Sequence, residues 1–201
     1  MVQEFFPKLE LHASTQMNCA SAAAVNQLSR EGFSRVVVAR ELSLQEIQKI
    51  KEKSNAELEV FVHGALCVSE SGLCLFSSFL GGKSANRGMC TQACRRFYSA
   101  DCNGVEKKGY YFSPHDLQLI DRIPDLVRAG VESFKIEGRM KSAEYVGSVT
   151  AAYRYVLDHF EEDRKGAVET GKRMLSTDFA RAKTRYFFDS SKAENVLNPD
   201  Q

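Results

Sequence analysis

Residues Arg35 to Ala39 read RVVVA, a continuous, largely β-branched run too short to be a helix of its own. A run of this kind suits a parallel strand buried on both faces. It is one of several. Lys8 to Thr15 (KLELHAST), Leu58 to Val62 (LEVFV) and Ser133 to Ile136 (SFKI) have strand character too, and Tyr110 to Phe112 adds a weaker fifth. Helical patterns lie between them. Cys19 to Arg30 is alanine-rich, with Ala20, Ala23, Ala24 and Leu28 on one side and Gly32 closing it. Ser43, followed three residues later by Glu46, is a capping-box start for a helix to Lys53. Ser113-Pro114-His115-Asp116 reads as a helix start, continued by Leu117, Ile120, Ile123, Leu126 and Val127; Pro124 can split it and Gly130 ends it. A long helix spans Ser142 to His159 with Tyr145, Val149, Ala152, Tyr153 and Val156 as its stripe. A last helical piece covers Lys172 to Arg181, before a polar tail at Asn198-Pro199.

Strands alternating with helices imply parallel strands joined by crossovers, an α/β fold. An open doubly wound sheet and part of a β/α barrel both satisfy the pattern. A complete eight-stranded barrel takes about 250 residues, and the chain has 201. In either architecture sites form at the carboxyl ends of the strands. Those ends are polar here: His12 to Gln16, Arg40-Glu41, His63, and Glu137 to Arg139.

Directly after the Leu58–Val62 run comes HGALCVSESGLCLFSSFLGGKSANRGMCTQACRR, His63 to Arg96, which holds four of the six cysteines. Cys67, Cys74, Cys90 and Cys94 follow a C-x6-C-x15-C-x3-C spacing. No apolar run approaches the ~18 residues of a membrane span, and the N-terminus has no signal-peptide pattern, so the chain reads as cytoplasmic. Clustered thiols in that compartment bind metal or do redox chemistry more often than they form disulfides. Only Cys90 and Cys94 have the close spacing of a zinc knuckle. An iron–sulfur cluster accepts varied spacings and takes four thiolates, and Gly72, Gly81, Gly82 and Gly88 let the backbone wrap around a ligand. The competing reading is of buried cysteines packing as small hydrophobes. Cys19 reads as core and Cys102, in a polar loop, as a spare ligand. Net charge is +1, so no global basic field announces nucleic acid. Locally, Arg87, Arg95 and Arg96 flank the last cysteines, and Phe97 and Tyr98 follow. Cations beside aromatics suit phosphates and stacked bases, and equally a solvated loop. Glu137 with Arg139 suits a catalytic or anion-binding pair, or a surface ion pair.

The cysteine stretch closely resembles the signature of peptidase family U32, the collagenase-like peptidases. LHASTQMN (Leu11 to Asn18), VVVARELSLQEI (Val36 to Ile47), YFSPHDL (Tyr111 to Leu117) and SFKIEGRMKSAEYV (Ser133 to Val146) agree with it in order, so the resemblance covers residues 5 to 188. It implies a partial β/α (TIM-like) barrel over residues 1–188, with parallel strands, a Cys-rich insert at 64–109 and a tail at 189–201. Family members extend on both sides of this chain, so it implies a fragment, with the missing barrel half or a second subunit as partner. Its better-defined members are RNA hydroxylases acting on a tRNA uridine, with prephenate as co-substrate, or on a 23S rRNA cytidine; others assist ubiquinone hydroxylation. It implies a 4Fe–4S cluster on Cys67, Cys74, Cys90 and Cys94. His63, Glu137 and Arg139 then line the catalytic strand-end face, and Arg87, Arg95, Arg96 and Lys141 meet RNA phosphate. The segment DFARAKTRYFF (Asp178 to Phe188) resembles the rRNA branch. Collagenase-like proteolysis is the alternative, and a non-catalytic fragment or partner subunit the second alternative. No H-E-x-x-H or G-x-S-x-G is present, and thiols that hold a cluster are not free to attack, so oxidative chemistry is favoured over hydrolysis. A cysteine peptidase would pair one of these thiols with His63.

Overall fold

The computed structural model describes residues 2–139, 141–177, 181–190, 192–193 and 196–197. In chain order its elements are α1 (Val2–Phe5), β1 (Leu11–Ala13), α2 (Ala22–Arg30), β2 (Phe33–Val37), α3 (Leu44–Glu52), β3 (Glu57–Ala65), α4 (Phe76–Gly81), β4 (Tyr98–Cys102), β5 (Val105–Gly109), β6 (Asp116–Gln118), α5 (Ile123–Arg128), β7 (Ser133–Ile136), α6 (Ala143–His159), α7 (Arg164–Met174) and β8 (Lys183–Thr184). The segments Asp178–Ala180 and Asn198-Pro199 of the sequence reading lie outside the described residues.

β1, β2, β3 and β7 pair in parallel, and β6 pairs in parallel with β8. This is the mixed α/β, parallel-strand architecture that the alternation predicts, with one departure: β6 runs antiparallel to β3. Its residue Asp116 pairs with Ala65, so the chain leaves β3 and returns beside the same strand end. An antiparallel return of this kind needs no crossover helix.

Local signals set most element starts. The Ser43 hydroxyl accepts from the Glu46 N–H while the Glu46 carboxylate accepts from the Ser43 N–H, the full capping box. Ser142 caps α6 and Asp163 caps α7 in the same sense. Ser21 caps α2, so that helix begins at Ala22 and leaves Cys19 in the preceding loop, where it is fully buried as core.

Four expected elements are corrected. Tyr110–Phe112 is not a strand; the strand is Asp116–Gln118, so Leu117 belongs to a sheet rather than to a helix. The helix read from Ser113 to Gly130 contracts to a 3-10 turn, Ile120–Arg122, and α5. Pro124 lies in the first turn of α5, where its missing N–H costs nothing. The polar loop expected around Cys102 is a hairpin of β4 and β5 whose two-residue turn, Asn103-Gly104, has φ 57° and 80°. Positive φ at both positions is what a tight hairpin turn requires and what Asn-Gly supplies. The last helix, read at Lys172–Arg181, is α7 followed by a 3-10 turn, Leu175–Thr177.

Helices α2, α3, α5, α6 and α7 share one hydrophobic cluster with the sheet. Leu58, Val60 and Val62 of β3 are buried there, together with the predicted α6 stripe of Tyr145, Val149, Ala152, Tyr153 and Val156. Continuous burial, expected for strands covered on both faces, holds for Val36 to Ala39 but not for β3, which alternates from Glu57 to Val62. The other face of β3 presents Glu59 and Phe61. The Glu59 carboxylate accepts from the Ser133 hydroxyl at 3.0 Å and pairs with Lys135 at 2.9 Å and Arg35 at 3.9 Å. Burial pushes this carboxyl up, but Lys135, Ser133 and Arg35 outweigh burial and hold it below the usual glutamate range. A carboxyl lowered in the folded state stabilises fully above its unfolded value, near about 4.3. That stabilisation disappears as pH falls through the lower, folded value. The stability gap between wild type and Glu59→Gln is therefore expected to be largest at neutral pH and to close below pH ~4; urea midpoints across that range measure it. Among the described residues no helix is long and apolar enough to cross a membrane.

Candidate functional site

The carboxyl ends of β1, β2, β3 and β7 meet the 66–115 excursion around one cavity of about 430 Å³. Glycine makes two of these junctions possible. Gly64, in β3, has φ 103°, and a Cβ there would sit 2.4 Å from the Glu137 carbonyl oxygen just after β7. The close approach lets the Glu137 N–H donate to the His63 carbonyl at 2.8 Å. Gly72, at φ 78°, lies equally close to the Gln16 carbonyl after β1, at 2.6 Å from a would-be Cβ. Gly64→Ala is expected to destabilise by at least the ~1–3 kcal/mol of a strained backbone, with the clash added. Gly81→Ala, where the added Cβ meets nothing within 4 Å, is expected to be near neutral. Urea unfolding of both variants checks the contrast.

The excursion is pinned at several points. Ser71 is fully buried; its N–H donates to Glu41 at 3.0 Å and its hydroxyl accepts from the Arg40 N–H at 3.3 Å. These bonds hold the Cys67–Cys74 loop to the end of β2. The Thr91 N–H donates to the buried Ser77 hydroxyl at 3.1 Å, which fixes the segment of Cys90 against α4. The Tyr98 hydroxyl donates to the Ala93 carbonyl at 2.8 Å, and the rings of Phe76, Tyr98 and Phe112 pack on one another. Arg95 donates to the Leu66 carbonyl at 2.6 Å, to the Ser113 hydroxyl at 2.9 Å and to the Pro114 carbonyl.

The result is that Cys67, Cys74, Cys90 and Cys94 all line the cavity, none of them in a disulfide. Burial pushes the Cys94 thiol up, Arg95 pulls it down, and the other three thiols push it up again. Cys94 thus stands within electrostatic reach of all three. Among the described residues no three His, Cys, Asp or Glu side chains converge on one point where a single metal ion would sit. A structural zinc needs that convergence. A cluster gives each thiolate its own iron, and the residues that would hold one here are the four cysteines of the cavity wall. Cys102 lies exposed in the β4–β5 hairpin and is not part of the cavity wall.

The cavity wall is rich in cations: Arg40, Arg95, Arg139, Lys141 and Arg181 line it, with Glu70 and Glu137 as its carboxylates. Glu137 accepts from the Arg139 N–H at 2.7 Å. Lys141 stands 4.5 Å over the Tyr145 ring. Of the residues expected from sequence, the cavity therefore gathers the four cysteines, Glu137, Arg139, Lys141 and Arg95. His63 does not line it. His63 is buried beneath α6, with Nδ1 3.2 Å from the Tyr153 hydroxyl and its ring edge-on to Tyr153. Arg87 and Arg96 are exposed outside the wall.

Two site residues escape sequence reasoning. Asp116 is fully buried, and its Oδ1 accepts from Arg181 Nε at 3.1 Å and from an Arg181 terminal nitrogen at 2.7 Å. Among the described residues its Oδ2 has no hydrogen-bond partner. Nothing in the sequence joins positions 116 and 181; the parallel pairing of β6 with β8 does.

The chain matches the sequence pattern of peptidase family U32 over residues 1–198. It is 42% identical over 171 residues to the tRNA hydroxylation protein P1 of Bacillus subtilis, covering 81% of this chain and 40% of that protein. It is 40% identical over 199 residues to the 23S rRNA 5-hydroxycytidine C2501 synthase of Escherichia coli, covering 94% of this chain and 30% of that protein. A Porphyromonas gingivalis protein named collagenase is 39% identical over 169 residues, covering 76% of this chain and 40% of its own length. The chain thus spans less than half the length of these curated relatives. No solved structure matches it.

Proposed function

The chain belongs to peptidase family U32, and we propose that it is the cluster-bearing part of a cytoplasmic RNA hydroxylase, acting on a tRNA uridine or a 23S rRNA cytidine. One observation carries this reading: four thiols ring a cation-lined cavity at the strand ends. The names of the relatives from Bacillus subtilis and Escherichia coli supply the substrate class. In this reading the parallel strands β1, β2, β3 and β7 are an arc of a β/α barrel, which further strands from a partner segment or subunit would complete.

Cys67, Cys74, Cys90 and Cys94 would hold a 4Fe–4S cluster, which supplies one-electron chemistry when bound. Arg139, Lys141 and Arg181 bind and orient an anionic co-substrate, a role that suits a dicarboxylate such as prephenate. The Glu137 carboxylate, tethered through one oxygen to the Arg139 N–H, keeps its other oxygen to hold or release a proton. Arg87 and Arg96, with the exposed Phe97 ring, meet the RNA outside the cavity wall, where phosphates pair with guanidinium groups and bases stack on aromatics. His63 acts indirectly, fixing the end of β3 through Tyr153.

The relative named collagenase favours a peptidase reading. A cysteine peptidase needs a base within reach of its thiol, and His63 faces Tyr153 beneath α6 instead. Mass spectrometry of nucleosides from a deletion strain tests the choice. Loss of a hydroxylated uridine or cytidine, restored by wild type and not by Cys94→Ala, is expected. Unchanged tRNA and rRNA, with gelatin cleavage that survives replacement of all four cysteines, would contradict the proposal.

A further inference from the structure

We propose that Arg95 is a positioning residue for the four-thiol site: it ties the segments carrying Cys67 and Cys94 together and supplies a fixed positive charge beside them. The inference rests on the cluster reading above.

The geometry assigns its guanidinium away from RNA. Arg95 follows Cys94 directly in the chain, yet its side chain reaches the Leu66 carbonyl, one residue before Cys67, at 2.6 Å. The same group donates to the Ser113 hydroxyl at 2.9 Å and to the Pro114 carbonyl. One planar fork therefore joins three stretches: the start of the excursion, the turn of its last cysteine and its return toward β6. Arg96, the next residue, is exposed. Two neighbouring arginines that look equivalent in the sequence thus have opposite assignments.

Charge supports the same conclusion. The acceptors that hold Arg95 are two carbonyls and a hydroxyl, none of which cancels its charge. A charge taken out of water is costly unless it is paired, and a guanidinium cannot shed its proton to escape the cost. Arg181, a cation that pushes against it, is paired with Asp116. Cys94, Asp116 and Cys67 are the acidic or ionisable groups that face Arg95. Asp116 is shared with Arg181, so anionic charge on the thiol side adds to what balances Arg95. Four thiolates around a cluster provide it. A cation fixed there also favours the more negative, reduced state of whatever the thiolates hold, because net charge and hydrogen bonding near the sulfurs set cluster potentials.

The test uses anaerobically reconstituted wild type, Arg95→Lys and Arg95→Met, with ferrous iron and sulfide as the probe. Iron retained against a chelator and the midpoint potential are read for each. Arg95→Met is expected to hold iron about 10- to 100-fold more weakly, the usual effect of removing a group that orients metal ligands, and to show a lower potential in the cluster that remains. Arg95→Lys keeps the charge without the fork, so the potential is expected to return toward wild type while retention stays weakened. Wild-type retention and potential in both variants would overturn the proposal. If Arg95→Met does not fold, Arg95→Lys decides: weakened retention supports the proposal and wild-type retention overturns it. A wild-type sample that takes up no iron would overturn the cluster reading itself, and is distinguished because it needs no variant.

Discussion

Replacing Cys94 by alanine is expected to remove essentially all of the brown absorbance of anaerobically prepared protein, together with its iron and sulfide. Cys94 lines the cavity together with the other three thiols, and it sits on the turn that Arg95 clamps. A four-iron cluster takes four thiolates, alanine offers no ligand, and Cys102, the remaining exposed thiol, lies in the hairpin outside the cavity wall. Substitution at Cys67, Cys74 or Cys90 is expected to act in the same direction. Cys102→Ala is expected to leave the colour intact. Cys19→Ala removes a fully buried side chain, so it is expected to lower the melting temperature without altering iron content. Visible absorbance and metal analysis of the six single variants separate the four cavity cysteines from the other two. A Cys94→Ala protein that keeps its iron would remove that thiol from the ligand set.

Arg181→Met is expected to destabilise the fold by about 3–5 kcal/mol, the cost of removing one partner from a buried ion pair. Asp116 is fully buried, and Arg181 supplies both hydrogen bonds that reach its Oδ1. Among the described residues its second oxygen has no hydrogen-bond partner, so Arg181 supplies the side-chain hydrogen bonds described for this carboxylate. The Arg181 side chain is 35% exposed, and water entering from the cavity side places the effect toward the lower end. Adding Asp116→Asn to Arg181→Met is expected to recover part of the loss, because it removes the uncompensated charge. Urea unfolding of the three proteins measures the coupling. A single-variant effect within the ~0–1 kcal/mol typical of exposed pairs would show that Asp116 is compensated by other groups.

The parts of this fold that could be read in advance are those whose signals are local. The Ser43–Glu46 box and the α6 stripe lie within a few residues of the elements they specify. β6 is different. Leu117 fits both a helical stripe and a strand, the strand is three residues long, and the partners that decide the matter, Gly64 and Thr184, are far away in the chain. The β4–β5 hairpin had its signal in Asn103-Gly104, but the flanking residues are charged and polar and hide the alternation that marks a strand. At the site, residue types were legible and directions were not. Four cysteines in one stretch announced a ligand, and Glu137 and Arg139 announced a strand end. No sequence rule separates the inward Arg95 from the outward Arg96, or sends His63 under α6 when Phe61 and Ala65, two residues to either side, line the cavity. Arg181 pairs with Asp116 only because two short strands meet.

Iron, acid-labile sulfide and an absorbance spectrum, measured on wild-type protein purified without oxygen, test the central claim most directly. The account predicts a brown protein with about four iron and four sulfide per chain. A colourless protein, or one that holds zinc in place of iron, would contradict it.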